Sequence, residues 1–323
     1  MSKSSVLIYR YILFCTIMQE INKRKNGGII MGSNLISNFI NGGISITSSA
    51  VSSVVSGLVT TFFVRKNTAS EEFEKIKAGK FSEAIDILLD SGKMSYLEYY
   101  KCNNFLKIAQ LADHYLQKEK YFYEDYKTNK YDFDWFVKFY DYSSNISNDE
   151  MRKLWASILK SEIKSPGTTS ISLLHALSMM NFDQAMLFCN ICRFTLTDIK
   201  TNDPHLLLFV STNREAYKNS GITPSGLKEL ERLGLIECDF STEYVFLKKK
   251  VLRKSNKIVT IYGDPANNEK IKAGNAIFTR DGHSLYSIID DDYKKFNSDI
   301  FNNTIVRFVR RNCRVEINGT TVL

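Results

Sequence analysis

The chain has 323 residues, of which 44% are hydrophobic, and its 43 Lys and Arg exceed its 35 Asp and Glu, which gives a net charge of +8. This apolar content supplies a core for one large or two ordinary domains, so the composition excludes a wholly disordered protein. The six Cys are scattered. Without a convincing export signal they indicate reduced thiols in a cytoplasmic protein rather than a disulfide-stapled secreted fold.

The first thirty residues are basic and partly apolar. Arg10 interrupts the apolar run 6–18, and no small-residue cleavage site precedes the basic cluster 23–25, so a signal peptide is a poor interpretation. Gly27 and Gly28 lie shortly before Met31, and two Gly codons there supply a purine-rich ribosome-binding sequence. We therefore predict that 1–30 is an upstream extension or leader and that translation begins at Met31, with Met1 as the alternative start.

The next segment, 31–66, contains an uncharged amphipathic pattern, because no charged side chain occurs between Lys25 and Arg65. Apolar residues recur three and four positions apart and share one helical face, while Ser, Asn, Thr and Gly fill the other. The apolar face contains Ile40, Ile44, Val51, Val54, Val55, Leu58, Val59, Phe62 and Phe63. A soluble helix normally carries Lys and Glu on its wet face, so this pattern needs a separate explanation.

Three interpretations of this apolar face compete. The helix lies in a bilayer interface with its uncharged face among the headgroups. Alternatively it spans the membrane, since 44–64 is about 21 residues and roughly 20 suffice for crossing. The third interpretation is a buried or coiled-coil helix within a soluble homo-oligomer. We favour association with the inner membrane, peripheral or anchored, and self-association through 33–64 remains open.

The region 67–200 is predicted to be a helical domain, with helices at 71–78, 81–89 and 96–119. Ser147 and Glu150 have the spacing of a capping box, which predicts a helix from there to about Lys164. A turn at 166–167 follows, then a second helix capped at 168–170 and a third that opens at Asn181 or Asp183. Cys189 and Cys192 lie in this third helix, where we interpret them as core residues.

One stretch of this domain has a specific order of residues. It runs from Asp134-Trp135 through Leu154-Trp155-Ala156 to Pro166-Gly167, and it resembles the bacterial domain-of-unknown-function family 2806 between about 101 and 194. The motif residues, which we interpret as structural, are Asp134, Trp135, Ser147, Glu150, Trp155, Glu162, Pro166, Gly167 and Ser170. The resemblance implies a cytosolic helical domain without assigned catalytic residues. A fainter resemblance to alpha-type abortive-infection proteins implies a role in phage defence.

The C-terminal region 201–323 is predicted to be a small, basic α+β domain. A helix at 224–234 precedes β-like runs at 244–247 and 258–262, the order of a last helix and wing in a winged helix-turn-helix. A further helix is predicted from Phe278, and strands at 304–309 and 314–318. Basic residues that are candidates for contact with nucleic acid or an anionic surface are Lys249, Arg253, Arg307, Arg310, Arg311 and Arg314. A solvated basic face and a protein-binding domain are the alternatives.

These patterns predict a mainly α protein with a helical core domain, a small winged-helix-like C-terminal domain and an N-terminal uncharged amphipathic helix. The sequence contains no glycine-rich phosphate-binding loop, no zinc-binding helix motif of His and Glu, and no nucleophile-elbow motif around a serine. We therefore expect neither an enzyme nor a cofactor, metal or small-molecule substrate. We expect a binding or effector protein, with membrane-directed phage defence as the leading hypothesis. A DNA-binding regulator and a structural homo-oligomer are the alternatives.

Overall fold

Helices form the first part of the described chain. The computed structural model describes residues 82, 85–92, 94–119, 132–209, 217, 220–289 and 291–322. After a helical segment at 85–90, the helices are α1 (Tyr96–Lys118), α2 (Phe133–Ser143), α3 (Asp149–Lys164), α4 (Ile171–Met179) and α5 (Phe182–Cys192). The predicted helix at 96–119 and the three consecutive helices after residue 147 are therefore confirmed.

The start of α3 differs from the prediction by one residue. Asn148 is the N-cap, and its side-chain oxygen accepts a hydrogen bond from the Met151 amide at 3.0 Å. The capping box of Ser147 and Glu150 is therefore wrong, because Glu150 instead pairs with Lys153 at 2.6 Å. An Asn side chain is as good a cap as Ser, and here it lies one residue nearer the helix. The caps Ser170 of α4 and Asn181 of α5 fall where they were predicted.

Aromatic rings form the centre of the helical core. Phe139 of α2 stacks on Trp135 at 5.1 Å between ring centroids and meets the edge of Trp155 from α3 at 5.4 Å. Phe105 of α1 contacts Phe139 at 6.3 Å, so three helices share one cluster. All four side chains are buried. Burial of such large rings supplies much of the apolar area that holds α1, α2 and α3 together.

Strands and shorter helices form the second part of the chain. The strands are β1 (Thr195–Asp198), β2 (Pro204–Leu206), β3 (Ile236–Cys238), β4 (Tyr244–Leu247), β5 (Lys249–Lys254), β6 (Lys257–Tyr262), β7 (Lys270–Gly274), β8 (Ala276–Phe278), β9 (Arg314–Ile317) and β10 (Thr320–Val322). The helices are α6 (Pro224–Arg232), α7 (Arg280–Ile288) and α8 (Ser298–Val309), and 3-10 turns lie at Pro265–Asn267 and Asp291–Lys294.

The prediction of a mainly α protein is wrong, because a six-stranded antiparallel sheet lies in the C-terminal half. Its strand order is β10-β9-β6-β5-β1-β2, and β3-β8 and β4-β7 form two further pairs. The prediction that 244–247 and 258–262 form the wing of a winged helix-turn-helix is also wrong, since β4 pairs with β7 whereas β6 pairs with β5 and β9. The Lys-rich strand β5 carried no apolar alternation, so its sequence indicated a charged surface instead of a central strand.

The predicted strand at 304–309 is helical in the structure. Asn297 caps α8, and its apolar residues recur at helical spacing and are buried against the inner face of the six-stranded sheet. The shared core contains Leu196, Leu207, Phe209, Leu252, Val259, Ile261, Ile271, Ala273, Phe301, Ile305, Phe308, Cys313 and Val315. Alternation over six residues was too short to distinguish a strand from one face of a helix.

A long bent hairpin, which runs from β4 to β7, joins the six-stranded sheet to a separate two-stranded pair. Strands β5 and β6 form its tip within the six-stranded sheet, and β4 and β7 form its base in a separate pair. Ile271 and Ala273 of β7 reach the same core as β5 and β6. The hairpin therefore changes direction between β4 and β5 on one side and between β6 and β7 on the other.

None of the helices in the described ranges combines the length and apolar content needed to cross a membrane. The segment 44–64, for which a membrane span was one interpretation, lies outside these ranges.

Candidate anion-binding site

The bend of the long hairpin is closed by backbone hydrogen bonds. The Lys248 amide donates to the Glu269 carbonyl at 2.9 Å, and the Gly263 amide donates to the Lys248 carbonyl at 2.8 Å. A Cβ atom on Gly263 would lie 2.0 Å from the Glu269 oxygen. Because that separation is far below van der Waals contact, the bend requires glycine at this position.

Backbone conformations around the bend are unusual. Lys248, Asn268 and Glu269 have φ values of 63°, 51° and 54°, and Asn312 in the turn after α8 has a φ of 58°. Asn adopts the left-handed region readily, but Lys and Glu do so rarely and at a cost in free energy. Such conformations concentrate at binding sites, where the surrounding structure holds them in place.

A cleft of about 250 Å³ opens beside this bend. One wall is β7 and the other is the turn between α8 and β9, and the lining residues are Asp264, Asn267, Lys270, Lys272, Arg311, Asn312 and Cys313. These side chains carry three positive charges and one negative charge. The Glu243 carboxylate just outside this lining contacts Arg311 and Lys272, so the site has a net charge of +1, which still favours an anion.

A partly buried carboxylate fixes the position of two of these cations. Arg311 Nη1 lies 2.7 Å from Glu243 Oε1, and Lys272 Nζ lies 3.6 Å from the Glu243 carboxylate. The Arg311 contact lacks hydrogen-bond alignment, so the pair is an ionic contact. Arg311 also lies over the Phe209 ring at 4.8 Å, which leaves the guanidinium few alternative positions.

One side of the cleft continues into an apolar strip. Val245 pairs in register with Lys272, and Leu247 pairs with Lys270, so these four side chains share one face of the β4–β7 pair. Val245 is 43% exposed and Leu247 is 66% exposed. The cleft therefore offers positive charge next to accessible apolar surface.

A second group of cations lies across the adjacent strands. Lys249 of β5, Tyr262 of β6 and Arg314 of β9 are directly opposite one another in register, so they form one row on the outer face of the sheet. Lys249 Nζ lies 5.0 Å from the Tyr262 ring centroid, and the Arg314 guanidinium carbon lies 4.0 Å from it. We call these three residues the cation row; its cations are attracted to the ring by its quadrupole.

The structure separates the predicted basic residues into several environments. Lys249 and Arg314 form the cation row, and Arg311 lines the cleft. Arg307 lies 5.7 Å from the Phe209 ring, and burial lowers the pKa of its guanidinium. The remaining two are exposed: Arg310 at the end of α8 and Arg253 on β5, whose guanidinium is 3.5 Å from the Asn202 side chain.

Sequence reasoning missed the two lysines that build the cleft, Lys270 and Lys272. Their alternation with Ile271 and Ala273 is the pattern of a half-buried strand, and it was the signal that could have found β7. Asp264 followed by Pro265 likewise indicates a turn. No local pattern indicates that this turn lies beside Arg311, because the contact depends on the return of the chain after α8.

The family motif forms a structural cluster in the helical part. The Trp135 indole N–H donates to the Thr169 carbonyl at 2.8 Å. Glu162 is buried, and its carboxylate accepts from the Gly167 amide at 2.6 Å and the Thr169 amide at 3.1 Å. Burial raises the pKa of Glu162, and the two amide hydrogen bonds oppose that shift. Both side chains therefore satisfy the backbone of the turn after α3.

The other motif residues have similar structural positions. Pro166 and Gly167, the latter with a φ of 84°, form the turn that Glu162 holds. Ser170 caps α4 and also donates to the Asp281 carboxylate of α7 at 2.6 Å. Trp155 is buried in the aromatic cluster, whereas Asp134, Ser147 and Glu150 are exposed at or near helix starts. The predicted membrane or oligomer face, Ile40 to Phe63, lies outside the described residues.

Comparison with protein families decides the classification of the chain. Residues 92–296 match the family described as a protein of unknown function, DUF2806. The chain belongs to the DUF2806 family. The match extends from α1 beyond α7, so it includes the bent hairpin as well as the helical motif. No curated protein and no solved structure matches the chain.

Proposed function

We propose that this DUF2806 protein is a nucleic-acid-binding protein whose sheet holds phosphate groups at the cleft and the cation row. The observation that carries the proposal is the cleft, in which cations from two distant parts of the sequence, Lys270 and Lys272 on one wall and Arg311 on the other, line one cavity. This arrangement replaces the winged-helix mode of DNA contact, which the strand pairing contradicts.

The chain connectivity places the cleft within a few residues of the cation row. Tyr262 of the cation row is followed by Gly263 and Asp264, and Asp264 lines the cleft. On the other side, Cys313 of the cleft is followed directly by Arg314 of the row. A nucleic-acid backbone presents phosphates at regular intervals, and a series of fixed cations binds it largely independently of sequence.

Binding of a labelled oligonucleotide tests this function. The double variant Lys270→Glu/Lys272→Glu reverses two charges in the cleft, and we expect its affinity to fall at least about tenfold, with a shallower dependence on salt. Lys270 is exposed, so its reversal should change the free energy of unfolding by no more than about 0.5 kcal/mol, whereas Lys272→Glu also faces the Glu243 carboxylate and should cost about 1 kcal/mol more. Fluorescence anisotropy over a range of salt concentrations measures the affinity.

The matched control is Lys107→Glu/Lys138→Glu, which makes the same charge change at exposed positions of α1 and α2. The control should retain nearly all of the affinity of the unmodified protein. Equal losses in the two double variants would show that net charge alone attracts the oligonucleotide, and the proposal would fail. Absence of any retention by the unmodified protein at low salt would also refute it.

A second candidate function is a membrane-directed effector in phage defence. It is supported by the absence of charge from 26 to 64 and by the resemblance of the helical motif to abortive-infection proteins. Flotation with liposomes tests the membrane part: the unmodified chain should rise with the vesicles, and Val51→Asp/Val55→Asp should remain in the soluble fraction. Equal distribution of the two would reject it. A mass measurement in solution with and without 33–64 tests the alternative of a homo-oligomer.

A further inference from the structure

We infer that the nucleic acid bound by this chain is single-stranded, and that an unpaired base stacks on the outer plane of the Arg314 guanidinium. This inference rests on the proposed function and specifies its ligand.

Arg314 is held in one orientation although much of it is in solvent. Its guanidinium carbon lies 4.0 Å from the Tyr262 ring centroid, which is a stacking distance. Arg314 Nη2 lies 3.4 Å from Glu316 Oε1, and the Tyr262 hydroxyl donates to Glu316 Oε2 at 3.2 Å. The carboxylate therefore connects the guanidinium and the ring. An arginine fixed in this way loses less conformational entropy when a ligand binds.

The opposite side of Arg314 is open among the described residues. The Arg314 side chain is 60% exposed. Side chains stand roughly perpendicular to a sheet, so successive members of a row lie side by side. Tyr262 thus covers one side of the guanidinium, and among the described residues the other side is available to a planar group.

A nucleobase without a pairing partner fits this surface. Arginine guanidinium planes and aromatic rings are the groups on which proteins stack unpaired bases. In a duplex the bases are stacked on their neighbours and cannot reach a plane that stands on a sheet. The phosphates next to such a base would lie near the cleft cations, because Cys313 of the cleft directly precedes Arg314. The row therefore recognises a base, and the surrounding cations bind its backbone.

Two other features of the described residues do not support a binding site. Tyr96 and Leu97 at the start of α1 are 75% and 62% exposed, but nothing in the described structure shows what covers them. His205, Asp198 and Lys250 form a partly buried polar group around β1 and β2, and the 2.6 Å pair of Lys250 with Asp198 accounts for it as a structural contact.

The decisive variant is Arg314→Lys, which retains the charge and removes the plane. The probes are a labelled single-stranded oligodeoxynucleotide of about 12 nucleotides and the duplex of the same sequence. We expect the unmodified protein to bind the single strand more tightly than the duplex. Arg314→Lys should weaken single-strand binding about tenfold, the loss typical of one stacked base, and should leave duplex binding nearly unchanged.

The matched control is Arg232→Lys, which makes the same exchange at an exposed position of α6, outside the cleft and the cation row. It should change neither affinity by more than about twofold. A single strand with 2-aminopurine provides a second readout, since its fluorescence depends on how the base is stacked; binding of the unmodified protein should change it, and binding of Arg314→Lys should change it less.

The outcomes separate the two proposals. Equal or tighter binding of the duplex, or no effect of Arg314→Lys on either readout, would overturn the single-strand inference while leaving nucleic-acid binding intact. Failure of both oligonucleotides to bind, together with binding of phosphatidylglycerol vesicles, would overturn both proposals and identify the basic surface as a membrane contact.

Discussion

The helical region, α1–α5, and the β region after it use polar side chains in opposite ways. In the helical region Glu162 and Trp135 are buried, and each is hydrogen-bonded to the backbone of one turn. In the β region Lys249 and Arg314 are exposed and are held over a ring at the surface. The most recognisable motif of this chain therefore stabilises its fold, whereas the candidate binding surface lies in the other region.

The two regions also differ in backbone geometry. Within the described ranges, the non-glycine residues with positive φ are Asn202, Lys248, Ser255, Asn268, Glu269, Asn312 and Asn318, and all of them follow α5. Four of these border the cleft or the hairpin bend that forms it. Regular helices satisfy their backbone locally, while a bent hairpin needs unusual conformations that tertiary contacts must hold.

The largest expected effect is that of Trp135→Ala in the helical region. The change removes the ring stacked on Phe139 and leaves the Thr169 carbonyl without its indole donor. We expect the free energy of unfolding to fall by about 3–5 kcal/mol, measured by urea denaturation followed by circular dichroism. Trp135→Phe keeps a ring and should cost less. If Trp135→Ala had normal stability but lost oligonucleotide binding, the assignment of a structural role to the helical region and a binding role to the β region would be contradicted.

An intermediate effect is expected for Gly263→Ala at the hairpin bend. The added Cβ would lie 2.0 Å from the Glu269 oxygen, so the backbone must move. We expect a loss of about 3 kcal/mol in the free energy of unfolding, together with weaker oligonucleotide binding because Lys248 and Lys270 are displaced. Gly319→Ala is the contrast: its Cβ meets nothing within 4 Å, so only its φ of +82° should cost about 1–2 kcal/mol. Equal effects of the two would contradict the role assigned to the bend.

The smallest of the three effects is a gain from Lys254→Met. Lys254 of β5 is only 8% exposed, and burial lowers the pKa of its amine from 10.5 to about 8. Below pH 8 the folded protein must keep a buried charge, so its stability rises as the pH increases from about 8 to 10.5. The Met variant should lack this rise and be more stable at pH 7 by about 2 kcal/mol. A parallel rise in both proteins during denaturation at several pH values would refute the assignment.

Much of the helical region could be predicted because its signals are local. The cap Ser170, the turn at Pro166-Gly167 and the apolar spacing of α3 each lie within a few residues of the structure they produce. The N-cap of α3 is Asn148 and not the predicted Ser147. This shows the limit of such signals, because both adjacent residues are competent caps.

The β region was harder to predict because its decisive contacts are distant in sequence. Lys249, Tyr262 and Arg314 were all recognisable as basic or strand residues, but their alignment requires three strands to pair in one register. A strand has no internal hydrogen bonds, so its partner rather than its own residues completes it. The same reason explains why β4 and β6 were predicted as strands and their pairing was not.

For this chain, local sequence patterns were sufficient to determine the α3–α5 helices, their family, the strands β4 and β6 and the basic character of the C-terminal region. Tertiary structure alone decided that six strands form one sheet, that 304–309 is helical, and that Arg311 lines a cleft with Lys270 and Lys272. The physical reason is the range of the forces involved: capping and helical spacing act over a few residues, whereas sheet register and a charged cleft exist only after distant segments have paired.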